Sequence, residues 1–315
     1  MELQEAVIVS GARTPVGRFG GAFKDVSAPD LGATAIRAAL ERAGITPDMV
    51  DEVVLGNALQ ATEAGYAARL ASLRAGVPEE VPTIAINRQC SSGLEAINMA
   101  AQLVRTGEVD IVVAGGIENM SQSPFMLGYQ ARFDGLRMGD ASLVDGLTDG
   151  LGCPVNRYHM GVTAENVAER FGVSREDQDE LALISHTRAA AAVASGRFKG
   201  PITSVEVPQR RADPIIADTD EGPRADTTLE RLGQLRPVFK KDGTVTAGNA
   251  SSINDAAAAV VLMSAAKAAE LGVQGKLRWH TRGVAGVEPA IMGTGPIPRS
   301  EKPWARQAWS WTTST

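Results

Sequence analysis

The 315 residues read as a layered α/β protein whose sheet-forming part is interrupted by an insertion. Three features lead there. Short apolar runs alternate with helical patterns from the N-terminus to Gly115. The rhythm breaks near Ile117, and strand character returns at Val260–Met263. Alternation of this kind implies crossover connections and a mainly parallel sheet.

In chain order, Ala6–Val9 is a short buried strand. Pro29–Ala43 is a helix with Leu31, Ala35, Ala39 and Ala43 on one face and Gly44 as its stop. Val53–Leu55 is a second strand, followed by helical character around Tyr66–Ala75. A third strand, Thr83–Ile86, runs into Cys90-Ser91-Ser92-Gly93, after which Leu94, Ile97, Ala101 and Val104 recur at helical spacing. This low-charge helix looks suited to burial on more than one side. Ile111–Ala114 is a fourth strand, with Gly115-Gly116 read as a tight turn, as is Gly20-Gly21. Between Ile117 and Thr246 the chain is Gly- and Asp-rich and then helical from Ser174, where Asp177 completes a partial capping box and Gly196 follows the end. The loop Ala247–Ser252 leads back to the sheet.

Composition narrows the function. Lysine and arginine number 31 against 37 aspartate and glutamate, giving a net charge of −6, which argues against a nucleic-acid binder. No apolar run reaches the ~18 residues of a membrane span, and MELQEAVIVS has no secretory character, so a cytoplasmic protein without membrane association is expected. Two cysteines, Cys90 and Cys153, make neither a disulfide scaffold nor a cysteine-based metal site, and no metal ligand set is assigned.

Cys90 is the most informative position. Lying between a strand and a helix, its sulfur is near the positive end of the helix macrodipole, which favours the nucleophilic thiolate. The small neighbours Ser91, Ser92 and Gly93 leave room for a substrate. The competing reading is a buried cysteine serving as a small hydrophobe. His186 and His280 receive no role, and Cys153 reads as a bystander thiol.

Residues 5–298 resemble a thiolase of the acetyl-CoA acetyltransferase branch. The resemblance is carried by EAVIVSGARTPVGRFGGAF, VVLGNALQA, INRQCSSGLEAI, VAGGIENMSQSPFML, YHMGVTAENVAERFGVSREDQD, GRFKGPI, TLERLGQLRPVF, GTVTAGNASSINDAAAAVVLMS and VAGVEPAIMGTGPIP, in order. It implies a thiolase-like αβα layered fold with an inserted, mainly helical loop domain. Residues 1–116 and 247–275 would form the αβα domain, 117–246 the inserted loop domain, and 276–298 the start of a C-terminal domain. It also implies that Cys90 takes an acyl group from acyl-CoA as a thioester. A second acetyl-CoA, deprotonated at its methyl carbon, then attacks to give a 3-ketoacyl-CoA, or the reaction runs in reverse. Coenzyme A and acetyl-CoA enter as substrates, with no permanently bound cofactor. The inserted segment would form the coenzyme A pocket. His159 and Met160 would line the pantetheine channel, Arg224 would lie near the adenine and Ser251 at the pantetheine amide. Leu147, Phe239, Ala247 and Met292 would complete the lining. Read without the resemblance, His159 is a surface or satisfied histidine, Arg224 a solvated cation and Ser251 a turn residue. The backbone N–H of Cys90 can serve one oxyanion hole. Intact relatives imply a homodimer or homotetramer.

The NEAFA, GHP and CxGGG motifs that bring a thiolase its second acid/base chemistry do not occur in the sequence; no His-Pro dipeptide exists and no cysteine follows Cys153. The second αβα half is therefore expected to be largely missing. The final stretch holds Trp304, Trp309 and Trp311, three of the four tryptophans. Back-translated and read two bases later with suitable codon choices, Pro298–Thr315 permits a thiolase-like continuation, so 299–315 is expected to be a frameshifted tail. Two competing functions follow: an inactive thiolase fragment that at most binds coenzyme A or a partner, and a ketosynthase-like condensing enzyme. The YHMG and GNASS segments favour thiolase over the latter.

Overall fold

The computed structural model describes residues 3–60, 66–136 and 138–300, with the backbone alone at 299 and 300. The tail expectation for 301–315 lies outside the described residues. Two units can be distinguished: Met1–Gly150 with Ala192–Gly222 and Ser252–Trp279, and Leu151–Ala191 with Pro223–Ser251 and His280–Thr315.

The first unit is built on a sheet of seven strands. These are β1 (Ala6–Arg13), β2 (Gly17–Arg18), β3 (Glu52–Gly56), β4 (Thr83–Ile86), β5 (Ile111–Asn119), and, after β6 (Phe125–Leu127), β7 (Leu143–Asp145), β8 (Val205–Val207) and β9 (Ile215–Ala217), strands β10 (Asn254–Ser264) and β11 (Leu277–Arg278). The order is β11-β1-β10-β5-β3-β4, with β2 beside β10. β3 pairs in parallel with β4 and β5, whereas β10 is antiparallel to both β1 and β5. The mainly parallel sheet expected from the alternation is thus corrected to a mixed one. A connection as long as the excursion before β10 permits either direction, and β10 enters antiparallel to both of its neighbours. β6 with β7 and β8 with β9 form two small antiparallel hairpins that sequence periodicity did not mark.

Helices cover both faces of the sheet. Helix α1 (Ala28–Ala43) starts at Ser27, whose side chain accepts the Asp30 N–H, and stops at Gly44 with φ 68°. With α2 (Ala67–Arg74) it covers one face, on which Leu31, Ile36 and Leu40 meet Val53, Leu55, Val113, Val261 and Met263. Each fully buried side chain of this size stabilises by roughly 1.5–3 kcal/mol. Helix α3 (Ser92–Thr106) covers the other face, where Ala96, Ala100, Ala101 and Val104 meet Val54, Val112, Ala114 and Leu262. Neighbouring strand residues such as Val112 and Val113 thus serve opposite cores, as the two-residue period of a strand requires.

Two local expectations are revised. β5 runs past Gly115 and Gly116 to Asn119 instead of turning there. A Cβ on Gly115 would lie 2.0 Å from the Ala258 carbonyl oxygen, so glycine is required by close strand approach. β10 begins at Asn254 because its alanine run is enforced by pairing with β5 on one side and β1 on the other. The α3 helix is not buried all round: Leu94 is 65% exposed. Trp279 adds cover, donating its indole N–H to Asn98 Oδ1 at 3.0 Å under the Arg105 guanidinium.

The second unit contains α6 (Met160–Phe171) and most of α7 (Arg175–Ala194), reached after two short helices of the first unit, α4 (Gln130–Phe133) and α5 (Gly146–Gly150). The Ser174–Asp177 capping box forms, with the Asp177 N–H donating to Ser174 Oγ at 3.1 Å and Ser174 N–H to Asp177 Oδ2 at the same distance. Among the described residues no helix is long and apolar enough to cross a membrane.

Candidate active site

Cys90 is exposed, which removes the buried-hydrophobe reading. It follows β4 by four residues and precedes α3 by two, on a tight elbow. Gln89 holds φ 49°, in the left-handed region that a non-glycine residue rarely occupies. Hydrogen bonds fix the bend. Ser91 N–H donates to the Arg88 carbonyl and Ser92 N–H to the Gln89 carbonyl. Ser92 Oγ accepts the Arg88 N–H at 2.7 Å and donates to the Gln89 carbonyl at 2.6 Å, and Ser91 Oγ donates to the Arg88 carbonyl at 2.9 Å. Ser91 and Ser92, read as small residues that leave space, are thus also the staples of the turn.

The elbow is seated on the sheet through glycine. A Cβ on Gly56, at the end of β3, would lie 2.4 Å from the Ser92 carbonyl carbon and 2.5 Å from the Gly93 nitrogen. Only glycine at this point lets the first turn of α3 reach the sheet. Arg88 and Glu95 flank the cysteine in sequence and pair at 3.1 Å. Leu147 also belongs to this unit; it is buried in α5, with its N–H donating to Asp145 Oδ1.

The remaining candidates lie in the second unit. His159 caps α6: its Nδ1 accepts the Gly161 N–H at 3.0 Å, which leaves Nε2 to carry the ring proton of the neutral form. Its ring stacks on Phe239 with centroids 4.8 Å apart and planes 12° from parallel. Met160, half-buried, opens the helix, its N–H donating to the Leu151 carbonyl. Arg224 is exposed, and its backbone N–H donates to His186 Nδ1 at 3.3 Å, so His186, left without a role from sequence, supports the Arg224 turn. Ala247 and Ser251 are exposed on one loop, and Met292 is 42% exposed. His159, Met160 and Phe239 are therefore brought together.

Two buried acids hold the loop that carries Ala247. Glu165 accepts the Thr244 and Val245 N–H groups, at 2.9 and 2.8 Å, and the Thr244 hydroxyl at 3.1 Å. Asp179, paired with Arg175 at 2.7 Å, accepts Asn249 Nδ2 at 2.9 Å, while Asn249 Oδ1 accepts the Thr246 N–H. Sequence reasoning missed both acids. The available signal was a carboxylate on a helix face that otherwise reads as apolar, within AENVAERF. Among the described residues no group of three or more His, Cys, Asp or Glu side chains could hold a metal ion.

The thiolase N-terminal domain family model matches residues 6–266. The chain belongs to the thiolase family. An acetyl-CoA acetyltransferase of Pseudomonas aeruginosa is 49% identical over 309 residues, covering 98% of this chain and 78% of the relative. A probable acetyl-CoA acyltransferase of Staphylococcus aureus is 49% identical over 301 residues, 95% of this chain and 76% of the relative. The crystal structure of a Bacillus anthracis acetyl-CoA acetyltransferase superposes with a TM-score of 0.94 at 44% identity, covering 98% of this chain and 78% of that one. The elbow, the layered sheet and the helical insertions are accordingly those of a thiolase.

Proposed function

We propose that Cys90 is the acyl-accepting nucleophile of a thiolase-type acyltransferase that uses acetyl-CoA. The observation that carries this reading is an exposed thiol on a stapled strand-to-helix elbow, ahead of the 15-residue helix α3. The Cys90 sulfur, as thiolate, attacks the thioester carbonyl carbon of acetyl-CoA. The carbon–sulfur bond to coenzyme A breaks, and the departing coenzyme A thiolate takes up the proton that Cys90 gave up. The Cys90 N–H is assigned to one developing oxyanion. Condensation with a second acetyl-CoA to acetoacetyl-CoA, or its thiolytic reverse, completes the cycle.

In this reading residues 1–116 and 247–275 carry the nucleophile and 117–246 the coenzyme A pocket. The stacked His159–Phe239 pair and Met160 would line pantetheine, with Arg224, Ser251, Leu147, Ala247 and Met292 completing the site. The same reading puts acyl-CoA substrates with the protein in the cytoplasm, and a homodimer or homotetramer for the intact protein.

The test is mass spectrometry of the 315-residue chain after incubation with acetyl-CoA. An acetyl adduct on the Cys90 peptide that is absent from Cys90→Ala supports the assignment, and its absence from the folded chain overturns it. The absence of a His-Pro dipeptide favours a second reading, in which the chain binds coenzyme A without turnover. Binding without an adduct would be its signature.

A further inference from the structure

Glu118 lies near the end of β5 and plays no part in the reading above. Its carboxylate faces three donors of the loop after β3. Asn57 Nδ2 donates to Oε1 at 2.9 Å, and the Ala58 and Leu59 N–H groups donate to Oε2 at 2.8 and 3.3 Å. The loop continues the contact toward the elbow. The Ala58 carbonyl accepts Asn87 Nδ2 at 2.8 Å, and Asn87 Oδ1 accepts the Gln89 N–H at 2.9 Å. Gln89 is the left-handed residue next to Cys90. A continuous chain of hydrogen bonds therefore runs from a half-buried acid to the strained peptide next to the thiol.

We propose that Glu118 is a positioning residue for Cys90, acting through Ala58, Asn87 and Gln89. The inference rests on Cys90 being the reactive thiol but not on the identity of its acyl donor. A strained residue persists only where its surroundings over-determine it, and this relay supplies the constraint on the N-terminal side of Gln89. Ser92 supplies it on the C-terminal side. Charge supports the assignment. Burial pushes the Glu118 carboxyl above the usual range, the Ala58, Leu59 and Asn57 donors oppose this, and Asp255 on β10 adds to the rise. The Arg88–Glu95 pair is the charged neighbour on the elbow side.

Glutamine at position 118 is a specific probe. It keeps the shape but replaces one acceptor oxygen by a donor, against three groups that all donate. Rotating the Asn57 amide offers no escape, because Asn57 Nδ2 also donates to the Ile117 carbonyl at 3.1 Å. Asn87 is exposed, so Asn87→Ala cuts the same chain with little cost to folding.

The experiment follows alkylation of Cys90 by iodoacetamide in the full chain, from neutral to alkaline pH, with hydrogen exchange of the segment spanning Gln89. Glu118→Gln and Asn87→Ala should each slow alkylation at neutral pH about tenfold. Both should lower protection at Gln89, and the double variant should be no slower than either single one. A folded Glu118→Gln that alkylates at the native rate overturns the proposal, as do additive effects in the double variant. Should Glu118→Gln not fold, Asn87→Ala decides alone: native alkylation and native protection at Gln89 overturn the proposal. No acyl-CoA is used, so a missing acetyl adduct on Cys90 would leave this result standing, and the converse holds.

Discussion

Gln89 and Asp220 illustrate opposite uses of a single residue. Gln89 spends stability on geometry, since a left-handed L-residue costs about 1–2 kcal/mol. Its N–H and carbonyl make the bonds of the elbow, and glycine would retain both. Gln89→Gly should therefore raise the unfolding free energy by about 0.5–1 kcal/mol in urea titration. Asp220 stabilises instead. Burial pushes its carboxyl up, but the bidentate contact with Arg13, at 2.7 and 2.9 Å, and the Val16 N–H outweigh this and hold it below the usual range. A depressed acid contributes stability above its unfolded value of 3.8 and loses it as pH falls through the lower folded value. Asp220→Asn should thus cost about 1 kcal/mol at neutral pH, discounted for partial solvent exposure, and nothing once the pH lies below both values. Urea melts of the two proteins across that range check the convergence.

At the scale of elements, the seat of α3 on β3 is the most sensitive joint. Gly56→Ala places a methyl group inside the backbone of Ser92 and Gly93 and should destabilise by about 1–3 kcal/mol, measured by thermal melting with Cys90 alkylation followed in parallel. Much of this joint was legible from the chain alone. The strand Thr83–Ile86, the helix after Cys90, the Gly44 stop and the Ser174 cap all rest on local chemistry, which sequence displays. What stayed hidden depends on remote partners. Gly115 is a strand residue because Ala258 crowds it, and the alanines of β10 are strand because two neighbours pair with them. Glu118, Glu165 and Asp179 acquire roles only when backbone N–H groups or amide side chains far along the chain are brought to them. Of the candidate site, Cys90 on its strand-to-helix junction and His159 and Phe239 as separate lining candidates could be named from the sequence; the acids Glu118, Glu165 and Asp179 could not.

At the scale of the whole molecule, one stretch brings several exposed apolar side chains close together in sequence. Phe125, Leu127, Tyr129, Phe133 and Leu143, on β6, α4 and β7 and the turns between, are each between 45% and 77% exposed. Clusters of this kind mark association surfaces. The 315-residue chain should therefore self-associate at micromolar concentration in light scattering, and Phe125→Ser with Leu143→Ser should reduce that association without lowering the melting temperature.

Among the described residues β1 pairs in the sheet with β10 and β11, and Ala6 meets Ser264 at the far end of the β10 ladder. β1 consequently cannot complete its ladder with β10 until the chain has been synthesised through Ser264. The central layer therefore closes in a late, long-range step, the slow kind of assembly.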